Sequence, residues 1–519
     1  MNLKNHPAAI IEIGSTGIRV LVAEIAADVY EDSWRIVDQA GKPVSLGRDV
    51  FTSGLVSRES VLECLAVLQN YRELIRGWDV AQEDVHVIGT SALRAARNRD
   101  LFVDRVYHET GFRINIIEGI EETRLMYLAV RHALKNDMPL FWRANSMILE
   151  VGGGSTEIML LRRGKMVAAH SLKLGTIRID QLFHQASDSA AFQSRYLNEN
   201  VRNTAEALKT EMDLAYIRSL VISGSGARFM AMNIGQEFNR DCRIVPRRVF
   251  MEFTERVKAY TVEECVREFT IPYSDAEDLV PSILIYRLFL EHTAAGEIVV
   301  PLVSLREGML INLVSQVDGG LQEEFYSQVI ASAVNLGRKY HFDEAHNRHV
   351  AQLALTLFDA LGHEHGMNRR DRLLLEVAGI LHDIGMYIRS SGHQKHGQYI
   401  VAHSEIFGLH QGELDLISNV IRYHRGEPPS ETDIDYIALQ REDRLLVVKM
   451  TSILRVADCL DRGHSQRIRE ISVERHQDTV VLGTSGIMDI SIERLGLEEK
   501  GDMFQDVFGY RVLLVQGTS

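Results

Sequence analysis

Two short segments carry nearly the same run of residues: IIEIGSTGIR at 10–19 and MILEVGGGSTE at 147–157. Each has an apolar run, a glutamate in the same place (Glu12, Glu150) and a loop of small residues. Glycine lets backbone come close to a phosphate, and a turn between strands aims several N–H groups inward as an anion cradle. Serine and threonine add hydroxyl donors. A carboxylate just before the turn would repel phosphate directly. Its useful part is to hold Mg2+, or its water shell, against the phosphate oxygens. Two such loops facing each other could clamp a phosphoanhydride from both sides. A single loop of this kind reads as readily as a hairpin turn with its glutamate in solvent. Repetition at 138 residues, a domain length, favours the paired reading.

A water attacking phosphorus needs an acceptor for its proton. Glu121 and Glu122 stand side by side in a helical pattern, so they project about 100° apart and only one can face a cleft. The plainer alternative is an acidic helix start favoured by the macrodipole. Arg94, Arg97 and Arg99 cluster, as do Arg243, Arg247 and Arg248. Either group suits a polyanion path or a solvated surface.

A second constellation is built from histidine. The chain has 20 His, many of them after residue 340. His382-Asp383 ends an apolar helix, and His349 opens HVAQLAL. His396, His424 and Asp458 follow on later helical segments. Imidazole with carboxylate suits divalent transition metals, and one such residue from each of several helices can converge on one site. His363, His365, His393, His403 and His410 are read as surface residues.

The elements that must position these groups fall into three textures. Strand-like DVHVIGTSALR (84–94) and FRINIIEG (112–119) alternate with amphipathic patterns such as VLECLAVLQNYRELIRGW, which predicts an α/β layer architecture. A second such block starts near 137 and includes VISGSGARFMAM (221–232), read as a loop. From about 316 to 465 helical periodicity dominates. After that, ISVERHQDTVVL, MDISIERLGLE and YRVLLVQG alternate at period two, which predicts a small β-rich end. The expected domains are 1–136, 137–315, 316–465 and 466–519.

Composition bounds the rest. A chain of 519 residues is too long for one core. No run of apolar residues reaches membrane-span length, and the N-terminus lacks a signal peptide's long apolar region. Cys64, Cys242, Cys265 and Cys459 are scattered, which suits a reducing cytoplasm. The formal charge of −14 argues against nonspecific nucleic-acid binding but leaves room for a local basic groove. A cytoplasmic location, with no nucleic-acid or membrane partner, is expected.

Seven motifs in order carry a resemblance: IIEIGSTGIR, GTSALRAARN (89–98), IEGIEETRL (117–125), LEVGGGSTEI (149–158), SLKLGTIRI (171–179), SGSGA (223–227) and SLREGML (304–310). Over about residues 8–312 the chain resembles exopolyphosphatases and guanosine pentaphosphate phosphatases, the Ppx/GppA family. The resemblance implies two actin-like, ribonuclease-H-like α/β domains (the ASKHA fold) around a cleft. It implies Mg2+-dependent release of terminal phosphate from polyphosphate or pppGpp, and a homodimer. It further implies Glu122 as base and Arg94 as a phosphate ligand. The phosphate loops would be Gly14, Ser15 and Thr16; Gly152, Gly153, Gly154, Ser155 and Thr156; and Ser225 with Gly226. Glu12, Glu150 and Glu157 would hold Mg2+. The family usually has Asp at positions 12 and 150 and Asn at 16. Each Glu adds a methylene, and misplacement of a site by about an ångström can cost about 10²-fold in rate.

The H…HD…H…H…D order over about 340–465 resembles the HD phosphohydrolase superfamily. That resemblance implies one divalent metal (Mn, Fe, Mg or Zn) on His349, His382, Asp383 and Asp458, and a second brought in by His396 and His424. Three functions are expected to compete: phosphoanhydride hydrolysis in the cleft, phosphohydrolase or phosphodiesterase chemistry in the helical domain, and non-catalytic sensing of polyphosphate or nucleotide. Guanosine penta- or tetraphosphate and polyphosphate stay equal as ligands.

Overall fold

The computed structural model describes residues 6–26, 34–134, 138–185, 190–315, 319–485 and 489–516. It divides into two compact units, Met1–Phe325 and Tyr326–Ser519. The expected boundary at 136/137 lies outside the described residues.

The first unit holds two sheets. One is ordered β3-β2-β1-β4-β5, with β1 His6–Ile13, β2 Gly17–Ile25, β3 Trp34–Pro43, β4 Val85–Gly89 and β5 Ile114–Ile116. The other contains β6 Asn145–Val151, β7 Thr156–Arg162, β8 Lys165–Leu172, β9 Ser219–Ser223, β10 Gln236–Asn239, β11 Cys242–Pro246 and β12 Glu297–Pro301. Its order is β10-β11-β12-β9-β6-β7-β8. Read from β8 to β12, it repeats the first sheet: an antiparallel meander followed by two parallel strands. The repeated sequence segments are therefore the equivalent first hairpins of two equivalent sheets. In each, strand residues seven apart face one another: Glu12 opposite Arg19, and Glu150 opposite Glu157.

Both faces of β1 are buried, which is why it reads as an unbroken apolar run. Ala9, Ile11 and Ile13 join one core with Leu65 and Leu68 of the helix Arg58–Gly77. Ala8 and Ile10 pack with Leu310 and Val314 of the helix Leu305–Ser315. That helix, assigned to the second half by the expected boundary at 315, thus packs on the first sheet. Glu12 continues the second face by the period-two rule. Met147, Leu149 and Val151 of β6 likewise enter a core of their own, so Glu150 takes the opposite face.

The helix Gly119–Leu134 packs against Leu305–Ser315, β7 and β8. It is buried nearly all round, from Glu122 and Thr123 to Leu134. At the helix crossing, a Cβ on Gly308 would stand 2.1 Å from the Leu125 carbonyl oxygen, so only glycine permits the approach. The start of this helix is thereby fixed beside both glutamate-bearing hairpins.

Two expectations need correction. VISGSGARFMAM is strand β9 running into the helix Ser225–Ile234, not a loop. In MDISIERLGLE, Ser491 onward is the helix Ser491–Lys500 rather than a strand. Ile490, Glu493, Gly496 and Leu497 are its inward residues, a spacing of three and four that the alternation of small and apolar residues conceals.

The second unit is helical, with Glu344–Ala360, Arg369–Leu381, His393–Ala402, Gln411–Tyr423 and Arg441–Cys459. Asn368 and Asp371 form a capping box that starts the helix leading to His382. A three-stranded sheet follows, β13 Ser472–His476, β14 Thr479–Thr484 and β15 Arg511–Gln516, ordered β13-β14-β15. Among the described residues no helix is long and apolar enough to cross a membrane.

Candidate active site and candidate metal centre

In the first unit, a cavity of about 650 Å³ is lined by Gly14, Ser15 and Thr16 of the first hairpin turn and Gly152, Gly153 and Ser155 of the second. Glu12, Glu122, Glu150, Glu157 and Ser225 also line it. The two turns face one another closely. A Cβ on Gly153 would come within 3.1 Å of the Ser15 Cβ. Behind the second turn, a Cβ on Gly175 would stand 2.4 Å from the Gly153 carbonyl oxygen, so this backbone crossing also demands glycine. Arg178 Nε donates to the Gly154 carbonyl at 2.8 Å and fixes the far side of the turn.

Of the adjacent glutamates, Glu122 is the one that faces inward. Glu121 is paired with Arg124, Nη2 to Oε1 at 2.6 Å. Glu122 is buried and accepts from Arg94 Nη1 at 3.0 Å. Burial pushes its carboxyl up to about 6; Arg94 acts against this and Glu12 adds to it. Such a group is ionised at neutral pH yet basic enough to take a proton.

Glu157 accepts from Ser171 Oγ at 3.0 Å and Thr123 Oγ1 at 3.4 Å. Burial, then the charge of Glu122, pushes it up to about 8. Glu150 lies well above the usual carboxylate range because of burial, with Glu157, Glu122 and Glu12 adding repulsion. Converging carboxylates that raise one another in this way have the donor set that a hard divalent cation neutralises. Glu12, Glu150 and Glu157 supply the oxygen donors that Mg2+ prefers, although among the described residues their ligand atoms do not all lie within 4.8 Å of one another. Glu12 is also flanked by Arg306 Nε at 3.5 Å and Arg19 Nη1 at 3.9 Å.

Several expected ligands stand elsewhere. Arg94 does not line the cavity; it donates to Glu122 and, at 2.5 Å, to the Ile117 carbonyl. Both bonds use its Nη1, which orients the glutamate. Thr156 is fully buried and its hydroxyl donates to the Leu174 carbonyl, turned into the sheet. Gly154 and Gly226 are not cavity-lining, and a Cβ on Gly226 would meet Ser282 Oγ. Neither arginine cluster lines the cavity: Arg97 donates to Ser53, Arg247 to Thr293 and Ala295, and Arg248 pairs with Glu252. The cations that do line it are Arg19, Arg228, Arg306 and Lys42. The three arginines sit inside motifs already singled out, GSTGIR, SGSGARF and SLREGML, where the glycines drew attention from them.

In the second unit, His346, His382, His393 and His424 surround Asp383. Asp383 Oδ2 is 3.9 Å from His346 Nε2 and 3.8 Å from His382 Nε2. Its Oδ1 is 3.0 Å from His393 Nε2 and 3.6 Å from His424 Nε2. Asp458 Oδ1 lies 3.8 Å from His346 and 3.6 Å from His382. Each ring is oriented through Nδ1: His346 on Asp461 at 2.8 Å, His382 on Gly379, His393 on Ser390 and His424 on Ile421. All four Nε2 atoms therefore face the carboxylates, the arrangement that metal-bound imidazoles adopt. His346 Nε2 and His382 Nε2 are buried without a hydrogen-bond partner. Buried polar atoms are normally satisfied, so the two point to a ligand, and the set fits a divalent metal.

Burial disfavours a charged His382, yet Asp383 and Asp458 outweigh it and push the imidazole up to about 9. Burial would raise Asp383, but His382, His393 and His424 hold it far below the usual range.

Two expected ligands are replaced by neighbours three residues away. His349 Nε2 is engaged with the Ile468 carbonyl at 2.7 Å, and His346 takes the site. His396 is half-buried outside the cluster, and His393, expected at the surface, is 2 % exposed inside it. His365 is also buried, with Nε2 on the Phe358 carbonyl at 2.8 Å. His363, His403 and His410 are exposed as expected.

Doubled Gly/Ser-rich β-hairpin turns on two equivalent sheets, with carboxylates between them, define a two-lobed α/β protein. A family model described as the Ppx/GppA phosphatase family matches residues 21–317, and one for domain III of that family matches 330–485. The chain belongs to the Ppx/GppA phosphatase family. It is 22 % identical over 474 residues to a guanosine-5'-triphosphate,3'-diphosphate pyrophosphatase of Pseudoalteromonas atlantica, covering 88 % of this chain and 86 % of that one. The enzyme of the same name from Photobacterium profundum is 21 % identical over 96 % of both chains. An exopolyphosphatase structure from Cytophaga hutchinsonii shares the fold at TM-score 0.53 and 20 % identity, over 60 % of this chain and 98 % of that one.

Proposed function

We propose that the first unit hydrolyses terminal phosphoanhydride bonds, releasing phosphate from inorganic polyphosphate or guanosine pentaphosphate. The observation that carries this reading is Glu122: a buried carboxylate, poised near neutrality, in a cavity walled by two phosphate loops. Glu122 accepts a proton from the attacking water as its oxygen bonds to the terminal phosphorus. The bond from phosphorus to the bridging oxygen breaks, and the shortened chain leaves with that oxygen. Backbone N–H groups of the turns at 14–16 and 152–155 hold the phosphoryl oxygens, and Arg19, Arg228 and Arg306 offset their charge. Mg2+ bound by Glu12, Glu150 and Glu157 would neutralise charge on the phosphoryl oxygens. Arg94 keeps Glu122 ionised and aimed. Phosphate release from polyphosphate and pppGpp, measured in parallel with Mg2+ and Mn2+, tests the reading. Release from at least one is expected, and tight binding without release from either would instead support a sensor.

A second reading concerns the helical unit, favoured by the unpartnered Nε2 atoms of His346 and His382. It is a divalent-metal centre of HD type, held by His346, His382, Asp383 and Asp458 with His393 and His424 beside it, and suited to phosphoester hydrolysis. Metal content of the purified full chain tests it. Wild-type protein should carry transition metal that His382→Ala lacks; equal content in both would end this reading.

A further inference from the structure

A cation, Lys500, pairs directly with a carboxylate of the histidine cluster in the second unit. Lys500 ends the helix Ser491–Lys500, and its Nζ donates to Asp458 Oδ2 at 2.5 Å. Only 15 % of its side chain is exposed. Asp458 is thereby divided between its two oxygens: Oδ1 faces His346 and His382, and Oδ2 faces the ammonium. Asp383 is divided in the same manner, Oδ2 toward His346 and His382, Oδ1 toward His393 and His424. Ligand atoms thus form two neighbouring groups that share Asp383, with an ammonium at the edge of the first.

We propose that Lys500 is the positioning cation of a phosphoryl-binding site at this cluster, one that takes the terminal phosphate of a phosphomonoester, or inorganic phosphate. The inference rests on the reading of the cluster as a metal centre. Two consequences of the geometry carry it. First, an ammonium has three donors and Asp458 takes one, so a phosphoryl oxygen can be held by another. Second, Lys500 occupies Asp458 Oδ2 and leaves only Oδ1 for a metal, which keeps a position open that a two-oxygen carboxylate would fill. Removing Lys500 therefore has opposite effects on the two ligands: the metal binds more tightly and phosphate more weakly. A lysine with only a structural part would loosen Asp458, weaken metal binding and leave phosphate unmoved.

The test uses the full-length protein loaded with Mn2+. The Mn2+ electron paramagnetic resonance signal that wild type shows and His382→Ala lacks reports this cluster separately from the cleft. Inorganic phosphate is titrated against that signal. Lys500→Met should weaken phosphate binding about tenfold or more, as expected for loss of a charge-assisted hydrogen bond. The same variant should bind Mn2+ at least as tightly as wild type, and Lys500→Arg should restore most of the phosphate affinity. Phosphate affinity in Lys500→Met equal to that of wild type, with the cluster's Mn2+ signal present, overturns the part given to Lys500 and leaves the metal centre standing. Equal Mn2+ uptake and identical spectra in wild type and His382→Ala overturn both.

Discussion

Replacing Arg94 by methionine should move the acid limb of the pH–rate profile upward. Arg94 Nη1 donates to Glu122 Oε1 at 3.0 Å, and the Glu122 carboxyl, raised by burial to about 6, is held down by that guanidinium. A hydrogen bond to a charged group contributes about 1.5–3 kcal/mol. At about 1.4 kcal/mol per pKa unit, losing it lifts Glu122 by about 1–2 units. The base must be ionised to accept the proton from water, so activity falls as pH drops through this pKa. With the limb moved from about 6 to about 7–8, the ionised fraction at pH 7 falls from about 0.9 to about 0.1–0.5. Near pH 9 both proteins are mostly ionised and the gap between them narrows. A constant deficit remains there, because Arg94 also anchors the Ile117 carbonyl. The assay is kcat/KM for phosphate release from pH 5 to 9.5 at fixed metal concentration. A rate loss equal at every pH, with an unmoved limb, would refute the reasoning.

The remaining predictions concern the loops, the glutamates and the corrected ligands. Thr156→Val should cost about 1–3 kcal/mol of stability by leaving the Leu174 carbonyl unsatisfied, with KM unchanged; a large rise in KM at unchanged Tm would restore Thr156 as a phosphate ligand. Gly175→Ala should force the glycine-rich turn at 152–155 outward, lowering stability by about 1–3 kcal/mol and reducing activity, as read by thermal melting and phosphate release. Glu150→Asp withdraws a carboxylate by about one bond, roughly 1.5 Å, and should lower kcat by about 10²-fold in a cleft built around the longer side chain. A faster Glu150→Asp enzyme would show the longer side chain to be a handicap. His346→Ala should abolish metal uptake by the helical unit while His349→Ala retains it, by elemental analysis of the full chain; the reverse result would reinstate His349.

The hairpins, their repetition and the helix carrying Glu122 were legible in sequence because each rests on local chemistry: small residues in a turn, alternation in a strand, adjacent carboxylates on a helix. What local chemistry leaves open is which of two close candidates packing turns inward. Arg94 reads as a phosphate ligand in sequence, and only the fold shows that Ile117 and Glu122 share its Nη1. His346 and His349 lie three residues apart on one helix. His346, Val350, Leu353 and Leu357 form its buried stripe, a pattern present in the sequence but outweighed by the HVAQLAL run. His393 likewise shares a face with Gly397, Ile400 and Val401. Thr156 follows a glycine loop like a ligand, yet strand β7 begins at that residue and its side chain belongs to the sheet.

The central claim is that Glu122 is the base, and it separates binding from chemistry. Glu122→Gln keeps the size of the side chain and removes its basicity. The direct measurement is phosphate release by this variant and by wild type, alongside equilibrium binding of polyphosphate to both. Release should fall by about 10²-fold or more, in the range for loss of a general base, while the affinity for polyphosphate stays close to that of wild type. Turnover retained in Glu122→Gln would contradict the account.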